Sequence, residues 1–322
     1  MKKYLGSIKD FFFGNVMILV CLIFIIIGAV MSPTFLTTNN LLSVLRQMAI
    51  IGILATGQSI AIISGGIDTS LGGMLSASVI IIALAQALPF PLIVILAIVF
   101  AFSFGMLNGT IVSYFKVAPF IITLGMGTVA DGLALLLSNG RVIFMKNNAD
   151  IFKSIGSGYL GPVPYMVIIF IAVVIIMQLI LSKTSLGVMW RSIGGNEEAA
   201  YWSGINTKKY KILAYGFSGM LAGVAALLSV SRTGVGDPVV GMGLSLDSIS
   251  AAVLGGTYLG GGGVGSAMGA ILGAFILGLI NNLFNLLNVS AYWQYIAKGL
   301  IIVLAVVIGS RNIRSKIKTI KA

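Results

Sequence analysis

The sequence predicts an all-α fold: a polytopic membrane helix bundle of about ten transmembrane helices, one domain over residues 1–322, with both termini cytoplasmic. Three observations carry this reading. Of 322 residues, 58% are hydrophobic and 9% charged, with a mean hydropathy of +1.08, which leaves too little polar surface to cover a soluble globule of that length. Apolar runs long enough for a membrane helix recur along the chain between short polar or glycine-rich breaks. The basic residues gather in the tails and one internal loop, as membrane orientation requires.

The same composition narrows function. A formal charge of +12 in a soluble domain would point to nucleic acid, but beside apolar spans it reads as topology, so no nucleic-acid partner is expected. Histidine is absent, which removes the usual general base, a common metal ligand and the pairings that activate serine or cysteine. Cys21, the single cysteine, lies in the first apolar run, so no disulfide forms within the chain. Of the eight carboxylates only Glu197 and Glu198 are close in sequence. No catalytic site and no metal site is predicted.

In chain order, Lys2, Lys3 and Lys9 precede the run Val16 to Met31. No small-x-small cleavage site follows and the next span begins within a few residues, which favours a retained helix over a signal peptide. Ser32-Pro33 breaks it, and Leu41 to Ile63 returns. The stretch SGGIDTSLGG, Ser64 to Gly73, then separates two apolar spans without the basic residues of an ordinary cytoplasmic loop. Irregular backbone of this kind is tolerated near the interface, inside protein or along a wet cavity. Asp68 within it has two readings, a residue of the transport path or a cap for the helix starting near Thr69.

Met74 to Leu88 and Pro91 to Val112 form a helical hairpin, and Phe120 to Asn139 is the next span, carrying Asp131. Residue counting puts Asp131 in the outer half, where a solvated helix end or a substrate ligand explains it. Residues 140–163 make a polar outer loop long enough for a small surface element, and Pro164 to Leu181 re-enters.

Lys183 to Lys211 is a long polar interruption holding five of the twenty basic residues. Inside it Asn196 can cap a short helix, Glu197 and Glu198 suit its positive end, and Gly204 can stop it. Ile212 to Val230 and Val239 to Leu254, with Asp247, lead to a second glycine-rich break, GGTYLGGGGVG from Gly255. It lacks the Gly-Lys-Ser/Thr ending and the preceding soluble strand of a phosphate loop. Ala267 to Leu287 and Ala291 to Ile308, with Lys298, complete the spans. Fourteen Lys and Arg fall in the segments assigned inside and six elsewhere, which puts both termini inside.

Small-xxx-small pairs at Gly105/Gly109, Gly219/Gly223 and Gly269/Gly273 permit close backbone approach between helices. The breaks at Gly65-Gly66 and Gly255-Gly256 each follow an inward-going span, the pattern of an internal repeat or of low glycine complexity.

Five motifs carry a family resemblance: GQSIAIISGGIDTSLGG from Gly57, VAPFIITLGM from Val117, IGGNEEAAYWSGINTKKYK from Ile193, LDSISAAVLGGTYLGGGGVG from Leu246 and YWQYIAKGLIIVLAV from Tyr292. Together they resemble the permease subunits of ATP-binding-cassette importers of the ribose, galactose and xylose class, over nearly the whole chain and in order. Thr69, where that family usually has an aliphatic residue, and the lead-in GMGLSLDSI depart from the pattern and leave the cargo open.

The resemblance implies a bacterial inner-membrane permease that pairs with a second permease, homologous or identical, with a separate ATPase and with an extracytoplasmic solute-binding protein, all in lipid. ATP and magnesium belong to the ATPase, and this chain binds no cofactor. It also implies ATPase coupling through Gly187, Arg191, Gly194, Asn196, Glu197, Ala199, Ala200 and Gly204. Gln58, Gly65, Gly66, Asp68, Asp247, Gly255 and Gly256 are the candidate translocation-path residues. The competing reading is an ion-coupled secondary transporter using Asp68, Asp131 and Asp247, which leaves the structured loop at 183–211 without a role.

Overall fold

The computed structural model describes residues 16–300 apart from 261, 291, 295 and 298. The charged tails, Lys298 and most of the last predicted span lie outside the described residues. The chain is a helical bundle, in order α1 (Val16–Met31), α2 (Thr38–Ile63), α3 (Leu71–Leu84), α4 (Phe90–Phe115) and α5 (Pro119–Ser138). After a small surface element come α7 (Tyr165–Lys183), α8 (Ser185–Gly195), α9 (Glu197–Trp202), α10 (Thr207–Thr233), α11 (Leu244–Leu254) and α12 (Gly269–Leu286). Among the described residues six helices, α2, α4, α5, α7, α10 and α12, are long and apolar enough to cross a membrane.

One predicted span is shorter than the sequence implied and another is displaced toward the N-terminus. The segments expected over Met74 to Leu88 and Val239 to Leu254 are helical over 14 residues in α3 and 11 in α11. At 1.5 Å per residue these reach about 21 and 16 Å, less than the roughly 30 Å of a bilayer core. The turned lead-in and the first turn of α11 are both held on α3: Gly241 N–H donates to Ser76 Oγ (2.9 Å) and Gly72 N–H to Ser245 Oγ (2.8 Å). A hydropathy pattern cannot distinguish that apolar turn from a further turn of helix.

The polar 140–163 segment carries the small surface element expected of it. Strand β1 (Ile143–Phe144) pairs antiparallel with β4 (Val235–Gly236), helix α6 (Ala149–Ser157) follows, and β2 (Tyr159–Leu160) pairs with β3 (Val163–Pro164). Phe152 packs edge-on against Phe90 at 5.3 Å, tying α6 to α4.

The interior is organised by α2 and α10, the most buried of the long helices, while α4, α5 and α7 turn much of their surface outward. The most extensive helix pair is α4 with α10, and glycine makes it possible. A Cβ on Gly105 would stand 2.2 Å from the Tyr215 carbonyl oxygen, and one on Gly219 would stand 2.2 Å from that of Ala101. Gly109 and Gly223 complete the two predicted pairs on the same seam, and Gly269 and Gly273 bring α12 onto Gly255 and Ala251 of the second break and α11. Without a strong hydrophobic force between helices in lipid, backbone proximity and dispersion hold such a bundle together.

Candidate functional site

Three groups of predicted residues fall in defined places. The first is the polar loop. Its central helix forms as its residues dictate: Asn196, in extended backbone, accepts the Ala199 N–H at 3.0 Å, with Glu197 and Glu198 in the first turn. Gly204, at φ +83°, ends it, its N–H donating to Tyr201 O and that of Ile205 to Ala200 O. Ala199 and both glutamates are exposed, Ala200 is buried, and Glu197 pairs with Lys211 of α10. Tyr201 and Trp202 are 61% and 77% exposed with rings 5.5 Å apart. Sequence reasoning passed over this pair, although two adjacent large aromatics in a polar loop are themselves a signal of a contact surface.

The loop also contains α8, a helix the sequence reading did not separate. Trp190, fully buried, anchors it by donating Nε1–H to Tyr210 O (2.8 Å) and packing on Phe217 of α10. Gly187 allows the turn from α7, since a Cβ there would meet Leu181 O at 2.2 Å. Through its last turns α8 reaches both glycine-rich breaks. Gly194 lies so close to the end of α2 that a Cβ would stand 1.9 Å from Ile63 O. Its own carbonyl accepts the Gly262 N–H at 2.7 Å. The Arg191 guanidinium donates to Gly263 O (3.0 Å) and Gly265 O (2.9 Å).

The two breaks form the second group, and they end their helices in the same way. At the first, Gly65 (φ +86°) and Gly66 donate to Ile62 O and Ala61 O; at the second, Gly256 (φ +88°) and Thr257 donate to Val253 O and Ala252 O. Both are Schellman endings, which favour glycine at the left-handed position. The flanking helices differ, long then short around the first and short then long around the second, so the shared feature is local termination. Thr257 Oγ1 donates to Ser59 Oγ at 3.1 Å, tying the second break to the last turns of α2.

Asp68, fully buried, accepts the Ser70 N–H (3.1 Å), the Ser70 hydroxyl and the Ser218 hydroxyl (3.0 Å). Asn108 in turn donates to Ser70 Oγ at 2.7 Å. Gln58 clasps the Asp68 backbone, Nε2 donating to its carbonyl (2.8 Å) and Oε1 accepting its N–H (3.2 Å). Gly66 admits Tyr215, whose hydroxyl would stand 2.1 Å from a Cβ there. Asp68 therefore joins α2 and α10 through hydrogen bonds, and Ser70 extends the network to α4. α3 starts at Leu71, after Ser70 in the N-cap position, so Asp68 acts on the turn before that helix. Asp131 is half-buried on α5.

The third group lies toward the opposite end, where a cavity of about 380 Å³ opens between α2, α10, α11 and α12. Asp247 lines it, alone among the predicted path residues; Gln58, Gly65, Gly66, Asp68, Gly255 and Gly256 do not. Its other polar walls are Gln47, Ser229, Arg232, Thr233, Asn281, Asn285 and Gln294. Asn281 and Asn285, four apart in an apolar run, share a helix face, a pattern legible in sequence but not singled out. The neighbouring Asn282 is spoken for, exchanging amide hydrogen bonds with Asn40 at 2.6 and 2.9 Å.

A membrane helix bundle that combines broken helices, a polar cavity between them and a structured polar loop is a transport permease. The chain belongs to the family described as branched-chain amino acid transport system / permease component, whose model matches residues 40–306. It is similar to the ribose import permease of Haemophilus influenzae, 37% identical over 88% of this chain and 89% of that one. The Bacillus subtilis ribose import permease is also 37% identical, over 90% of each chain. The D-allose transport system permease of Escherichia coli is 32% identical over 91% and 90%. No solved structure matches the chain. This is a transport subunit of the inner membrane and not an enzyme.

Proposed function

We propose that this chain is the permease subunit of an ATP-driven importer for a monosaccharide or a related small polar solute, and that α9 is where a separate ATPase docks. It pairs with a second permease, takes cargo from an extracytoplasmic binding protein, and leaves ATP and magnesium to the ATPase. The end of the bundle holding α8, α9 and both breaks faces the cytoplasm, and residues 140–163 face outward. The helix count rises toward ten when α1, the short pair α3 and α11 and the last predicted span are added to the six long helices.

The observation that carries the reading is the contact of one short polar loop with both breaks. Gly194 abuts Ile63 at the end of α2 and Gly65 of the first, and Arg191 and Gly194 hold Gly262, Gly263 and Gly265 of the second. A push on α9 passes through α8 to the ends of α2 and α11 together, which is what a nucleotide-driven switch between two access states requires. Of the three carboxylates that the ion-coupled alternative uses, Asp68 is engaged by Ser70 and Ser218 and Asp247 lines the cavity; that alternative gives the contact of the polar loop with both breaks no role.

The test is co-purification. Trp202→Ala with Tyr201→Ala removes exposed aromatic anchors, side chains that commonly dominate interface energy. The variant permease remains monodisperse while recovery of its ATPase partner falls at least tenfold. Full recovery of the ATPase and unchanged uptake would place docking elsewhere.

A further inference from the structure

The cavity between α2, α10, α11 and α12 uses none of the coupling residues, and its walls have a chemistry of their own. Its volume, about 380 Å³, falls within the range of small-ligand sites. Asn281, 5% exposed, lines it with an Oδ1 that has no hydrogen-bond partner among the described residues. A buried amide oxygen left unpaired costs free energy, so its environment is complete only when a donor enters.

The remaining walls specify what kind of donor. Gln47, Asn281, Asn285 and Gln294 are carboxamides, a group that carries both donors and acceptors, and Gln294 Nε2 donates to Asn285 Oδ1 (3.2 Å) and Val289 O (2.9 Å). That dual character matches adjacent hydroxyl groups, which also donate and accept. Among the described walls Arg232 and Asp247 contribute one cation and one anion, which balance. Ile50, Ile51 and Leu244 give apolar wall against which the C–H face of a ring can lie.

The location adds a mechanical argument. The cavity meets the first turn of the half-length helix α11 at Gly243, Leu244 and Asp247, and irregular or interrupted helices are where transporters build solute sites. The α2 and α11 walls end at the two breaks that α8 holds, so a shift of either break changes the cavity.

We propose that this cavity is a binding site, within the permease itself, for a neutral polyhydroxylated solute, with Asn281 Oδ1 accepting one of its hydroxyls. It deepens the importer reading and rests on it. Asn281 and its neighbours then discriminate cargo a second time, after the extracytoplasmic binding protein has released it.

The experiment uses the full-length permease reconstituted in liposomes with its ATPase and binding protein, offered tritiated D-ribose, D-allose or L-arabinose. Wild-type protein imports at least one of the three; import of none would overturn the sugar class. With that sugar, Asn281→Leu lowers uptake at least tenfold, Asn281→Gln restores part of it, and ATPase recovery is unchanged in both. Asn285→Leu, at an exposed wall position, provides an independent variant and lowers uptake with the fold intact. Unchanged uptake in Asn281→Leu and Asn285→Leu, with the ATPase bound, overturns the cavity proposal alone. Loss of the ATPase from these variants also overturns it, by showing that the residues serve assembly, whereas failure of the docking reading appears only in the Trp202 and Tyr201 variants.

Discussion

Gly194→Ala adds one methyl group at the point where the polar loop meets the membrane bundle. A Cβ there stands 1.9 Å from Ile63 O, 2.9 Å from Ile63 C and 3.2 Å from Gly65 N. All three are backbone atoms, so no side chain can rotate away. Restoring a carbon–oxygen separation of about 3.4 Å requires the end of α8 to lift from the end of α2 by roughly 1.5 Å. Overpacking of this kind costs about 1 to 3 kcal/mol, and the rest of α8 keeps its anchor at Trp190. The lost free energy falls on the contact between loop and first break, a coupling term whose usual size, about 1 to 3 kcal/mol, corresponds to about 5- to 150-fold. In liposomes carrying the assembled importer, phosphate release and sugar uptake are measured on the same sample. The expected result is ATP hydrolysis near the wild-type rate with sugar carried per ATP reduced at least fivefold. Hydrolysis and uptake both at wild-type levels would refute the idea that force crosses at Gly194, because a displaced contact that changes nothing transmits nothing.

Four further variants have outcomes that follow from the same geometry. Arg191→Lys replaces a planar fork spanning two carbonyls with a single ammonium; it weakens the hold on Gly263 and Gly265 and lowers uptake per ATP severalfold, read in the same liposome assay. Asp68→Ala strips buried Ser70 and Ser218 of their acceptor and reduces the yield of monodisperse permease in size-exclusion chromatography. Ser218→Ala, which removes one interhelical bond worth about 0.6 to 1.7 kcal/mol, leaves it folded; a monodisperse Asp68→Ala protein with no uptake would return Asp68 to the transport path. Gly219→Val drives side-chain atoms into the Ala101 carbonyl across the α4–α10 seam and abolishes the folded bundle, measured as loss of a cooperative melting transition.

Much of the architecture was legible in the residues because a bilayer imposes simple demands on a chain. An apolar run without water must be helical, which identified Leu41 to Ile63, Pro91 to Val112 and Phe120 to Asn139 within a few residues of α2, α4 and α5. Capping is equally local, so Asn196 and Gly204 bounded α9 correctly. The half-length of α11 was not legible, because hydropathy measures where a segment lies and not whether its backbone is helical.

The candidate site divides along the same line. By itself the sequence determined the membrane setting, the helical class, the capped loop helix and the glycine pairs, each a property of neighbouring residues and their solvent. Only the tertiary structure decided which of these act together. It brought Arg191 and Gly194 onto breaks that lie more than sixty residues away on one side and more than a hundred on the other. It closed hydrogen bonds around Asp68, and it gathered Gln47, Arg232, Asp247 and Asn281 from four helices around one cavity. The physical reason is that these are contacts between helices. Their partners are selected by close backbone packing at glycine and by the need to satisfy buried polar groups, and neither is written in any single stretch of the chain.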